Sequence, residues 1–401
     1  MISDASRDAR PDRVRLGVVG LGAVAQAVHL PLLDRLADHF LVSAVCDLSP
    51  ALVDRIGERY RVPEADRFTA VDALVASGAV DAVAILSSGS HGSVTVAALD
   101  AGLPAFVEKP LALTLGETDE LAAHGGAGRL QVGYMKLYDP AVLRASEAIA
   151  TARASGATIR AIEVTVLHPA SERQLWQSRL LPPPADIPEA VLEPLVAEVR
   201  WLQGVALGPA SAELGPLYSS ILLGSIIHDL ALIRTFDGDP VAIDNVDTWP
   251  DGEWPPSLGI TGRLASATRI AIRWHFLPRY AAYREIVRVV LDDRTVELEF
   301  PAPYLLHAPT RLTLTEPDGD ARRDTEVTSV REAFEEELLA FHRLVVDGTR
   351  PRAGIAEARA DVVTCQLIAR RRAEQLGLVI GGEAAMHPAA DTGLAIAGTR
   401  E

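Results

Sequence analysis

The sequence predicts an α/β protein with an N-terminal Rossmann doubly wound parallel sheet and a C-terminal α+β domain on a large open, mainly antiparallel sheet. Three observations carry this. From Arg13 to about Gly133 short apolar runs alternate with helical patterns, the mark of βαβ units and a parallel sheet covered on both faces. A glycine-rich turn, Gly20-Leu21-Gly22-Ala23-Val24-Ala25, follows the first apolar run directly. From Val241 to Thr315 the pattern becomes strands joined by turns, which is how an antiparallel sheet reads after βαβ units.

In chain order, strands are expected at Val14–Val19, Leu41–Cys46, Ala82–Leu86, Ala105–Val107 and Leu130–Val132. Helices are expected between them over Ala51–Tyr60, His91–Ala101 and Glu117–His124. Crossovers of this kind are right-handed, so a doubly wound sheet follows. Pro140–Ala154 reads as a helix and Thr158–His168 as a long strand. The proline-rich run from Leu180 to Pro188 must be a loop, followed by a helix through Trp201. Ser219–Thr235 is a further helix, and Ile286–Leu291 with Thr295–Phe300 make a hairpin about Asp292–Asp293. Ser329 and Glu332 fit a capping box opening a helix to about Val346. Pro351 then breaks the chain, and Ile355–Gln375 forms the next helix. Grouped, these elements give a dinucleotide-binding domain over 11–137, with helix 352–378 packing back on it. A substrate-binding and oligomerisation domain covers 138–350, and a frayed tail covers 382–401.

With 401 residues, two domains are the natural expectation. A formal net charge of −16 argues against a grip on nucleic acid or anionic lipid, both of which need clustered Lys and Arg. A small anionic ligand stays compatible, because a few local donors bind one in an acidic protein. Cys46 and Cys365, the two cysteines, lie in apolar segments and read as buried hydrophobes rather than a disulfide or metal pair. The first twelve residues are polar and lack the apolar core of a signal peptide. No apolar run approaches the roughly eighteen residues of a membrane span. The expectation is a cytoplasmic protein without a metal site.

In the glycine-rich turn, Gly20 lets the strand turn tightly and Gly22 removes the Cβ that would block a pyrophosphate. Ala25 is small enough for helix to pack on strand. The helix that starts about Ala23 and Val24 offers N–H groups and its positive end to the phosphates. Asp47, followed by Leu48, ends the second strand, where its carboxylate either accepts the ribose hydroxyls or caps the helix near Ser49–Pro50. The ribose reading favours NAD, with NADP still possible. Glu108-Lys109-Pro110 ends the strand Ala105–Val107, and strand carboxyl ends are where ligands bind in open α/β sheets. A lysine there can exchange a hydroxyl proton if burial and a neighbouring cation lower its pKa, with Glu108 orienting it.

These motifs, with His29-Leu30-Pro31, Ser87-Ser88-Gly89-Ser90-His91 and Ala98-Leu99-Asp100-Ala101-Gly102, together resemble the Gfo/Idh/MocA oxidoreductases. That family includes glucose–fructose oxidoreductase and inositol dehydrogenase. The segment Gln131–Lys136, followed by Asp139-Pro140-Ala141, is similar to the family's link into its second domain. The likeness is dense over 13–145 and looser over 219–380, where Gly348 and Pro351 also match. It implies that Lys109 is catalytic and that Ser87, Ser88, His91, Glu108 and Lys109 line the nicotinamide side. His91 alternatively caps the helix that starts there. It also implies a homodimer or homotetramer. The family's active site usually carries an aspartate four residues before a histidine, one helical turn apart on one face. Here the histidine is His228 and the aspartate position is Gly224, a departure; Asp229 follows, but a helical neighbour points roughly 100° away. Tyr134 and Lys136 follow a strand end on the same edge of the sheet and complete the catalytic candidates, with His168 at the end of the next strand.

The function expected is a nicotinamide-dependent dehydrogenase or reductase acting at a carbinol carbon of a sugar, cyclitol or other polyol, with Lys109 as acid/base. It competes with a redox-neutral sugar-modifying enzyme, an epimerase or eliminating glycosidase type with tightly bound NAD, and with a ligand sensor that has lost catalysis. The segment 171–218, with Arg173, Trp176 and Trp201, exceeds what the family core requires and either lids the pocket or extends an interface.

Overall fold

The computed structural model describes residues 13–182 and 184–387. Strands β1 (Val14–Val19), β2 (Phe40–Cys46), β3 (Arg67–Phe68), β4 (Ala82–Ile85), β5 (Ala105–Glu108) and β6 (Leu130–Gly133) form one sheet in the order β3-β2-β1-β4-β5-β6. Every neighbouring pair is parallel. The connecting helices are α1 (Leu30–Arg35), α2 (Pro50–Tyr60), α3 (Val71–Val75), α4 (Gly92–Asp100) and α5 (Leu115–Ala123). All four residues of β4, β5 and β6 are buried, as parallel strands covered on both faces require. The strand order reverses between β1 and β4, which opens a crevice at their carboxyl ends. Helix α5 starts two residues before the sequence reading because Thr114 and Glu117 make a capping box. The two-residue β3 is too short to show a period and escaped that reading.

The chain continues through α6 (Pro140–Ala154), β7 (Ile159–His168), α7 (Ser171–Leu175), α8 (Glu189–Leu207), α9 (Ser211–Pro216) and α10 (Ile227–Asp237). Seven strands follow: β8 (Pro240–Trp249), β9 (Ser257–Leu264), β10 (Arg269–Phe276), β11 (Arg284–Leu291), β12 (Thr295–Phe300), β13 (Arg311–Asp318) and β14 (Ala321–Thr328). With β7 they form an eight-stranded sheet, β14-β13-β12-β11-β7-β10-β9-β8, antiparallel except for the β7–β10 pair. Burial alternates along β11 and β12, so one face packs inward and the other carries pairs such as Arg288–Glu297.

Two closing helices bind the sheets together. In α11 (Ala333–Asp347), Phe334, Leu338, Phe341 and Leu344 join the core on the β1 side of the first sheet. This helix was expected with the second domain and instead packs on the first sheet. It also starts at Ala333 without a Ser329 cap, because the Glu332 carboxylate itself accepts the amides of Phe334 and Glu335. Helix α12 (Ile355–Leu376) lies against α5 and β6 on one side and β8 on the other.

Two expectations are corrected. The tail does not fray at Gly381: α13 (Gly382–Met386) is docked, with the Glu383 carboxylate accepting the amides of Leu115 and Gly116 at the start of α5. Residues 388–401 lie outside the described residues. The helical run Glu189–Asp237 does contain a stretch apolar and long enough to cross a membrane, although 67% of it is buried within the protein. It is not one rod, since Gly208 (φ +59) ends α8 and a wider π-type turn over Leu217–Ile226 precedes α10. Both cysteines are buried and free.

Candidate active site

The site begins at the glycine-rich turn. Gly20 ends β1 with φ +86, and a Cβ there would sit 2.4 Å from the amide nitrogen of Ser87. Only glycine lets this turn pass so close to the end of β4. At Gly22 a Cβ would meet nothing within 4 Å. The chain is helical from Ala23, with Gln26 N–H donating to the Gly22 carbonyl at 3.0 Å. The open room above Gly22 therefore faces a helix start, with its free N–H groups and positive end. That arrangement fits a dinucleotide's pyrophosphate.

From Gly22, Ala23 and Val24 a cavity of about 550 Å³ runs past Ser87, Ser88, Glu108 and Lys109 to Gly224, Ser225 and His228. Its far wall, from the second sheet, includes His168, Trp274, Phe276, Tyr283, Glu285 and Phe300. Sequence-distant candidates Lys109, Lys136 and His228 thus share one cavity.

Lys109 is half-buried and lines this cavity. Its ammonium donates to the Gly224 carbonyl at 2.6 Å. Burial pushes its pKa down from the usual lysine value; Glu108 opposes this and Lys136 adds to it. Behind it, the Glu108 carboxylate lies 2.8 Å from His29 Nε2 and accepts the Lys109 amide at 3.1 Å. Burial resists ionisation of Glu108, but the His29 hydrogen bond and the charges of His29 and Lys109 hold its pKa below the usual range. His228 has a buried Nδ1 without a hydrogen-bond partner among the described residues. Burial, then Lys109 and Lys136, push its pKa well below the usual histidine value, so the ring is neutral. The expected one-turn spacing of Gly224 and His228 is altered, because the wide turn ends between them.

Lys136 lines the cavity, but its ammonium is spent on Glu285, at 2.5 and 2.6 Å from its two oxygens, with Asp229 3.7 Å away. Tyr283 OH also donates to Glu285, at 2.6 Å. Burial and the Glu285 charge raise Asp229 well above the usual carboxylate range. Two carboxyls and one ammonium therefore hold a near-neutral knot beneath the cavity. Glu285 was missed from the sequence, yet its signal was there: in β11 it shares the inward parity of Val287, Val289 and Leu291.

Other candidates fall elsewhere. Tyr134 does not line the cavity; its hydroxyl donates to Asp361, and its ring backs that of His228 with centroids 6.4 Å apart. His91 is buried, with Nδ1 2.6 Å from the Pro110 carbonyl and Nε2 2.7 Å from that of Ser87. It ties together the two loops that carry Ser87 and Lys109, and its side chain makes no cap on α4. Asp47 is at the other end of the crevice, accepting Leu21 N–H at 2.8 Å and Ser49 N–H at 3.0 Å. The cap of α2 is Ser49, so Asp47 braces the glycine turn beside an exposed Leu48. His168 packs at a tilt of 40° against Trp274, with centroids 5.0 Å apart.

Residues 14–133 match the model of an oxidoreductase family with an NAD-binding Rossmann fold, Gfo/Idh/MocA. The chain is similar to inositol 2-dehydrogenase of Paracoccus denitrificans, 35% identical over 141 residues, which is 34% of this chain and 41% of that protein. It is similar to the same enzyme of Acidothermus cellulolyticus, 29% identical over 58% of this chain and 65% of that one. The match thus spans about two fifths of the length of the first of these relatives. Among crystal structures, myo-inositol 2-dehydrogenase from Lactobacillus plantarum shares the fold, with a TM-score of 0.65 at 18% identity over 91% of this chain and 98% of that one. Scyllo-inositol dehydrogenase from Lactobacillus casei, with bound NAD(H) and scyllo-inositol, gives a TM-score of 0.62 at 18% identity over 90% and 96%. Its glycine turn and sheet order agree with this match, so residues 14–133 are similar to the NAD-binding Rossmann domain of the Gfo/Idh/MocA oxidoreductases.

Proposed function

We propose that the protein is an NAD-dependent dehydrogenase or reductase acting on a carbinol carbon of a cyclitol, sugar or related polyol, with Lys109 as acid/base. One observation carries the proposal: a single cavity joins the open glycine turn at Gly22 to the buried ammonium of Lys109 and the neutral ring of His228. The relatives named inositol 2-dehydrogenases support the cyclitol class. Gly20, Gly22, Ala23 and Val24 would hold the pyrophosphate, Asp47 the adenosine ribose, and Ser87, Ser88 and Glu108 the nicotinamide end. Nicotinamide supplies the hydride chemistry when bound.

The chain's own residues do the rest. Lys109, with its pKa lowered, takes the hydroxyl proton as alcohol becomes ketone and returns it in reduction. The Gly224 carbonyl fixes the direction of the ammonium. His228, neutral and with a free nitrogen, holds the same hydroxyl in line. The aromatic wall of Trp274, Phe276 and Tyr283 excludes water from the reacting face.

A redox-neutral form of this chemistry is favoured by one feature. Leu181 is bonded to Gln26 and Asp186 to Ser49, beside the glycine turn where a cofactor would exchange. A panel of inositols, sugars and linear polyols with NAD, followed by NADH formation, separates the two. Net NADH with a cyclitol supports the dehydrogenase. Substrate conversion with retained NAD and no net reduction supports the redox-neutral enzyme. No conversion of any panel member contradicts both.

A further inference from the structure

The segment between β7 and α10 brings a carboxylate from beyond the first sheet's own stretch of chain onto the nucleotide edge of that sheet. After α7, Leu180 and Leu181 pack against the cluster around Val24, and the Leu181 amide donates to Gln26 Oε1 at 2.9 Å. Five residues on, Asp186 reaches the start of α2. One oxygen accepts the Ser49 hydroxyl at 2.6 Å and the other the Ala51 amide at 2.9 Å. The Ser49 backbone amide already serves Asp47 at 3.0 Å, and the Leu52 amide serves Ser49 Oγ at 3.1 Å. The free donors at this helix start, which would otherwise receive an anion, are thus taken by the chain itself. These hydrogen bonds hold the Asp186 carboxyl below the usual carboxylate range, so it is ionised at neutral pH.

We propose that Asp186 is a specificity-determining residue that, with Asp47, selects NAD over NADP. The inference rests on the nicotinamide-dependent reading above. Two carboxylates at the end of β2 present acceptors to a ribose 2′-hydroxyl. A 2′-phosphate there meets two like charges and finds its donors at Ser49 and Ala51 occupied. Asp186 belongs to the segment that exceeds the family core, so the discrimination is reinforced from outside the nucleotide-binding domain.

The test is equilibrium binding of NADH and NADPH, followed by nicotinamide fluorescence, to the wild type and to the Asp186→Asn and Asp186→Glu variants. Wild type is expected to bind NADH more tightly. Asp186→Asn is expected to tighten NADPH on the order of tenfold while NADH changes less, because one charge facing the phosphate is removed. Asp186→Glu keeps the charge and is expected to keep the preference. If Asp186→Asn weakens both cofactors equally, Asp186 only anchors the loop and the inference fails. A wild-type preference for NADPH also overturns it and leaves the dehydrogenase reading standing. Binding of neither cofactor to the wild type overturns both.

Discussion

At the scale of single residues, the site turns on a lysine whose partner is a backbone carbonyl. Gly224 stands where the resemblance implies an aspartate, and the Lys109 ammonium donates to its carbonyl. A carbonyl orients the ammonium without the full charge that would raise its pKa, so burial dominates and the pKa falls. In the proposed role oxidation needs neutral Lys109, so kcat/KM in that direction is expected to rise with pH through a value below that of ordinary lysine. In the reductive direction it falls through the same value. A Cβ at Gly224 would meet only the Ser219 carbonyl, at 3.6 Å, so a side chain can be added there. Gly224→Asp puts a carboxylate near Lys109 and is expected to move both profiles up by about one unit; profiles that stay in place contradict the lysine assignment. Lys136 differs in kind. With its ammonium on the buried Glu285, Lys136→Met should cost about 3–5 kcal/mol by stranding that charge. Chemical denaturation checks this, and adding Glu285→Leu should restore much of the loss. Lys109, Glu108 and the glycines were legible because each needs its residue type at a strand end. Glu285 and the true work of Tyr134 were not, because their partners lie far away in sequence: Tyr134 meets Asp361, and Lys136 meets Glu285.

At the scale of elements, the closing helices decide how the two sheets meet. Asp361 on α12 is buried between Arg234 of α10 and Tyr134 after β6, and so links three pieces of chain. Burial raises its pKa from 3.8 to about 6, against the pull of Arg234. The folded form therefore binds this proton more tightly than the unfolded one. Its stabilising contribution is complete below the unfolded value of 3.8 and is lost as pH rises through about 6. Asp361→Asn removes that titration. The stability gap between wild type and variant should narrow by a few kcal/mol at most from pH ~4 to ~7, measured by urea unfolding. A gap that widens contradicts the assignment. Strand and helix positions in the first sheet were legible to within two residues at most ends, because buried parallel strands read as unbroken apolar runs. Helix starts were less so: Glu332 and Thr114 cap where sequence pointed two or three residues away. The docking of α13 was hidden, since it depends on Glu383 finding the amides of α5.

At the scale of the whole molecule, the pieces enclose one cavity. Its floor is the reversal point of the first sheet, its roof is the second sheet, and its side is the wide turn leading into α10. The fold class was visible in the change from βαβ spacing to turn-linked strands. The order of the second sheet, with β7 inserted between β10 and β11, was not, because no local pattern specifies which strands pair over such separations. In the proposed function, cofactor and proton-transferring lysine serve one cavity yet are separable. This is tested most directly by NADH binding and polyol turnover, measured together on the wild type and on Lys109→Ala. Lys109→Ala is expected to bind NADH as the wild type does and to lose turnover by roughly 10²–10⁴-fold, the weight of a positioned acid/base. Turnover that survives the substitution, or a wild type that binds no NADH, would contradict it.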